Sequence, residues 1–146
     1  MDLHQRARWL MLAAGITEAF GLLMAVAAIP ALQGPTVQLL DFVFFPLDGA
    51  QHLSSDVARL LTGITGALMV GYGALMWLIA SEVLVEQPAL ARRLVLISIG
   101  SWFVVDCSMS VAAGAPLNVL LNSVFLLMFV RPVWGLGEPA GELSSA

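Results

Sequence analysis

Four apolar stretches, each nearly free of charge, decide the surroundings of this chain before any motif is considered. The first covers residues 9–29, reads WLMLAAGITEAFGLLMAVAAI and holds one ionisable side chain, Glu18. A bilayer core about 30 Å thick is crossed by roughly 20 mostly apolar residues in one helix. The pattern predicts further spans over residues 57–81, 92–113 and 117–131, the last of them short. With 60% hydrophobic and 11% charged residues the chain falls outside the range of soluble domains. Its 146 residues accommodate four spans and their connections and no soluble domain besides. The expected fold class is therefore all-α: an integral membrane four-helix bundle over residues 1–134, with a flexible cytoplasmic tail over 135–146. A basic start before an apolar run also describes a secretory signal. This run is longer than a typical signal core and carries Glu18, so it reads as a retained span.

The connections differ in kind. Residues 30–56 form the one long linker, with an apolar aromatic centre, Leu39 to Phe45, too short to cross. Such a segment is expected to lie in the interface or to fold back over the bundle as a short helix or re-entrant turn, acting as a lid. Ser54 or Ser55 before Asp56 supplies an N-cap for the second span. The brief polar turn around Pro88 predicts that spans two and three are antiparallel neighbours, and Gly114-Ala115-Pro116 makes a tight last connection. Gly63, Ala67 and Gly71 on span two, and Gly15 and Ala19 on span one, repeat every four residues. They predict close helix contact within the chain or in a homo-oligomer.

Arginine counting sets the orientation. Arg6 and Arg8 precede span one, Arg92 and Arg93 stand before span three, and Arg131 follows span four, whereas the opposite side carries only Arg59. The positive-inside rule then places both termini in the cytoplasm and the long 30–56 loop outside.

An ionisable group within hydrocarbon is costly and usually faces the bundle interior. Glu18 and Asp106 qualify, at depths of about 13 Å and 20 Å from the inner face at 1.5 Å per residue. Asn118 and Asn122, one turn apart on span four, descend from the outer side to the level of Asp106, and Ser110 lies one turn after Asp106. With Arg59 near the outer end of span two, these residues outline a polar pocket in the outer half, under Asp41, Asp48 and His52 of the loop. The alternative is that the amides and the aspartate hold helices together by hydrogen bonds, with Arg59 neutralising Asp106. For Glu18, the expected hydrogen-bonding partners are Thr17 and Thr65.

Residue counts exclude several chemistries. The arginines form no basic stripe, which argues against nucleic acid as a partner. Neither His4 nor His52 lies at membrane depth, so haem is not expected. His52 among loop carboxylates falls short of a zinc ligand set, and Cys107 is the only cysteine. No cofactor, metal or catalytic motif is expected.

The runs Trp102-Phe103-Val104-Val105-Asp106-Cys107-Ser108-Met109-Ser110, Gly114-Ala115-Pro116-Leu117-Asn118-Val119-Leu120-Leu121-Asn122 and Ala58-Arg59-Leu60-Leu61-Thr62-Gly63 resemble a pattern in small bacterial four-helix membrane proteins, loosely similar to the DoxX-like group. The resemblance covers spans two to four and implies a bacterial inner-membrane location, without an activity to carry over. Three functions remain in view. The first is a bundle embedded in membrane lipids that binds a lipophilic small molecule or a partner subunit through the polar pocket. The second is an enzyme or proton-coupled transporter acting on a lipid or quinone, with Asp106 and Glu18 titrating. The third is an accessory subunit of a larger complex.

Overall fold

A computed structural model describes residues 1–137, which form helices and turns with no strand among them. The order is α1 (Leu3–Val26), a 3₁₀ turn (Pro30–Leu32), α2 (Gly34–Phe44), α3 (Asp56–Leu78) running on through a π-helical segment (Ile79–Val83), α4 (Pro88–Ala112) and α5 (Asn118–Val133). Three apolar helices, Leu3–Val26, Asp56–Val83 and Pro88–Ala112, are long enough to cross a membrane. The fourth expected span is the 16-residue α5. At 1.5 Å per residue it reaches about 24 Å, short of a typical hydrocarbon core.

Local chemistry explains where the helices begin. α1 starts well before residue 9 because Asp2 and Gln5 form a capping box: the Asp2 carboxylate accepts from the Gln5 amide at 2.8 Å, and the Gln5 side chain accepts from the Asp2 amide. Ser55 caps α3 by accepting from the Ala58 amide at 3.0 Å. Pro88 opens α4, since proline has no amide to leave unpaired in a first turn and its φ suits a helix; the start therefore falls four residues before the expected residue 92.

The closest helix contact is α1 against α3, and it is made backbone to backbone. A Cβ added to Gly21 would come within 2.8 Å of the Gly66 carbonyl oxygen, one on Gly66 would overlap Ala25 and Gly21, and one on Gly73 would reach the Ala14 carbonyl at 2.9 Å. This seam matches the expected one only in part. Of the expected stripe only Gly63 meets the end of α1, where an added Cβ would come within 3.2 Å of Ala28; Gly71 has open space before it, Ala67 is exposed, and Gly15 touches only the Trp77 ring. Gly66 and Gly73 are seven residues apart, a spacing that keeps one face turned to a nearly parallel or antiparallel neighbour, whereas steps of four drift around the helix.

α4 packs on α5, and α5 in turn touches α1. α3 and α4, joined by a four-residue turn, were expected to pack as neighbours, yet they do not pair closely along their lengths. The small face of α3 is spent on α1, which leaves Leu68, Met69 and Tyr72 turned toward α4.

One end of the molecule is tied together. The Arg6 guanidinium donates to the Pro132 and Trp134 carbonyls at 3.0 and 2.7 Å, joining the start of α1 to the end of α5. Leu84, Ala91, Val133 and Leu136 enter the same buried cluster as Ala7 and Leu10. Positive φ at Gly135 and Gly137 turns the chain so that Leu136 is buried and Gly137 rests on Ala89. Residues 135–137 therefore belong to the packed structure, whereas the rest of the expected tail, 138–146, lies outside the described residues.

Candidate functional site

At the opposite end, α4 and α5 are joined by polar side chains. Asp106 and Ser110 are one turn apart on α4, and Asn118 and Asn122 one turn apart on α5, so the two pairs face each other across the antiparallel interface. The Asp106 Oδ2 accepts from the Nδ2 of Asn118 at 3.1 Å and from that of Asn122. Asn118 also donates to the Ser110 hydroxyl at 2.8 Å, and Asn122 lies 3.5 Å from the Cys107 sulfur. The last contact was not foreseen, because a residue directly after Asp106 turns away by about 100°. Asn122 is buried, while Asp106, Ser110 and Asn118 are half-buried.

The network is not sealed within the packing. It lines a cavity of about 400 Å³ whose walls come from all five helices. Leu39, Leu40, Val43 and Phe44 of α2 form one side, Phe20 and Met24 of α1 another. A short helix thus covers the site where the aromatic loop was expected to fold back. It is held by the fully buried Thr36, whose hydroxyl donates to the Leu23 carbonyl of α1 at 3.2 Å. The loop carboxylates do not point inward. Asp41 accepts from the Gly49 amide and Asp48 from the Ala50 amide, which orders the loop, and neither they nor His52 line the cavity.

A second cavity of about 420 Å³ adjoins the first, with Thr65, Met69, Trp102 and Phe125 as shared walls. It runs between α3 and α4 toward Tyr72, Ile99 and Phe129. Edge-to-face ring pairs brace it: Phe20 with Phe125 at 5.5 Å, Trp102 with Phe125 at 6.4 Å and Tyr72 with Phe129 at 6.0 Å between centroids. The two cavities together make a long, mainly apolar cleft, with the Asp106 network at one end and the hydroxyls of Thr17 and Tyr72 in the other compartment.

Two of the expected site residues lie elsewhere. Arg59 forms an ion pair with Asp56 three residues before it and donates to the Leu53 and Ser54 carbonyls, so it does not neutralise Asp106. A partner within one turn is reached without ordering a long side chain across the bundle. Glu18 packs its Cγ over Gly73 on the α1–α3 seam and lines neither part of the cleft. Its expected partners are otherwise engaged: the Thr17 hydroxyl donates to the Ala13 carbonyl and the Thr65 hydroxyl to the Leu61 carbonyl. Trp102, Phe125 and Met69 are cleft residues that the sequence did not mark as site residues, since nothing in apolar spacing separates a cleft wall from ordinary core.

Comparison with protein-family models, curated proteins and solved structures gives no match for this chain.

Proposed function

We propose that this protein is a multi-pass protein of the bacterial inner membrane, a bundle of four spans that binds a lipophilic small molecule in the cleft between α3 and α4, polar end at Asp106. The carrying observation is that the Asp106–Asn118–Asn122–Ser110 network opens onto a cavity instead of being enclosed by α4 and α5. Amides that served only to join two helices would need no cavity beside them. A cleft of this size, mainly apolar with a few convergent polar groups, has the form of a small-molecule site.

The topology belongs to the same proposal. The start of α1, the α3–α4 turn and the end of α5 share the end that carries Arg6, Arg92, Arg93 and Arg131, which the positive-inside rule assigns to the cytoplasm. α5 would then cross with its Arg131 and Trp134 at the inner interface, its shortness met by local thinning of the bilayer. Glu18 lines neither part of the cleft, which speaks against the two-carboxylate transporter reading.

Native mass spectrometry of protein extracted from its own membranes tests the reading. A co-purifying small molecule that is lost on Met69→Trp, a change that fills the shared wall of the cleft, is the expected result. Protein with no adduct, or an adduct retained equally by both forms, would contradict it.

A further inference from the structure

The chemistry of the cleft's polar end narrows what can occupy it. Among the described residues Asp106 is the one ionisable side chain lining the cavity, and no basic group accompanies it there. Arg59, the cation nearest in sequence logic, is committed to Asp56 and to two carbonyls. The two asparagine amides converge on Oδ2, and Oδ1 receives no hydrogen bond among the described residues. Ser110 accepts from Asn118 through its oxygen, which leaves its own hydrogen for a further acceptor. A carboxylate held at membrane depth by neutral donors still lacks a counter-charge, and in a low dielectric an opposite charge is the strongest complement available to it.

Resting on the cleft as a small-molecule site, we propose that its occupant is a cationic amphiphile. Its protonated amine donates to Asp106 Oδ1, and its hydrocarbon part runs past Trp102 and Phe125 toward Tyr72. The length of the cleft suits this, because the compartment beyond the four shared walls is mainly apolar, lined by Leu68, Ile99 and the rings of Tyr72 and Phe129. Its polar groups are the Tyr72 hydroxyl and Thr17, and the Thr17 hydroxyl is already bonded to the Ala13 carbonyl. An anionic head would face the carboxylate, and a neutral alcohol would offer one hydrogen bond without the charge. The hydrogen bond adds direction to the attraction, since an N⁺–H donor to a carboxylate is about twice as strong as a neutral pair.

The test uses the whole protein in phosphatidylcholine nanodiscs, with Trp9→Phe, Trp77→Phe and Trp134→Phe leaving Trp102 as the only tryptophan. The three replaced rings are exposed. Dodecylamine, charged at pH 7, and dodecanol, of equal chain length and uncharged, are titrated while Trp102 emission is followed. The amine is expected to bind at least about tenfold more tightly than the alcohol, and Asp106→Asn is expected to abolish that preference. The amine-to-alcohol comparison needs no change at Asp106, so it stands even if that variant fails to fold. Equal binding of the two would overturn the choice of head group and leave the cleft as a small-molecule site. Trp102 emission insensitive to both would overturn both, and a dimer in native mass spectrometry of the same sample would then assign the cleft to a second copy of the chain.

Discussion

Asn122 on α5 donates its side-chain amide to the carboxylate of Asp106 on α4, and Asn118 one turn earlier donates to the same oxygen. Truncating the acceptor leaves both amides with a lost partner beside apolar walls. Asp106→Ala is expected to lower stability by about 1–3 kcal/mol. A double-mutant cycle with Asn122→Ala, read by denaturant unfolding in mixed micelles, should return a coupling of roughly 0.5–2 kcal/mol. Additive effects would mean that the two side chains do not interact.

The α1–α3 seam gives a contrast between two glycines one helical face apart. Gly66→Ala must push α1 and α3 apart, because the added methyl overlaps backbone atoms of Gly21 and Ala25, and a loss of about 1–3 kcal/mol is expected. Gly71→Ala meets open space and should be neutral or stabilise slightly, as alanine is the better helix former. Thermal unfolding in detergent separates the two, and equal losses would place the seam elsewhere.

Thr36 fastens α2 over the cavity through one hydroxyl. Thr36→Val keeps the shape and removes the bond to the Leu23 carbonyl, weakening the attachment by about 1 kcal/mol. Faster hydrogen exchange over residues 34–44, with little change in α1, is the expected result. Unchanged exchange would show that apolar packing alone holds α2 down.

Orientation is checked by cysteine labelling in a Cys107→Ser background. A membrane-impermeant maleimide applied to intact cells should label His52→Cys, in the long loop, and spare Glu86→Cys, in the turn between the π segment and α4. The reverse pattern would invert the topology.

The polar cluster was legible because helical spacing alone puts Asp106 with Ser110, and Asn118 with Asn122, on single faces that a tight turn then brings together. The length of α1 was legible too, in the Asp2–Gln5 capping signature, but an apolar-window reading begins where hydrophobicity begins and passes over it. The glycine seam could not be read the same way. Which small face meets a neighbour is a property of two helices together, and α3 carries small residues on more than one face. Arg59 was misdirected for a related reason: depth suggested Asp106, whereas Asp56 lay within one turn. The cleft itself arises because α3 gives its small face to α1, so that Met69, Tyr72 and Trp102 line an opening where a short turn implied contact.

The chain contains two asparagines, Asn118 and Asn122, and both bind Asp106. Selective ¹⁵N-asparagine labelling therefore yields two side-chain amide signals, each reporting from the polar end of the cleft. Titrating the protein in nanodiscs with dodecylamine should shift both signals along a saturable curve, and Met69→Trp should suppress the shift. Side-chain amide signals that stay in place while the amphiphile partitions into the bilayer would contradict a ligand site at Asp106.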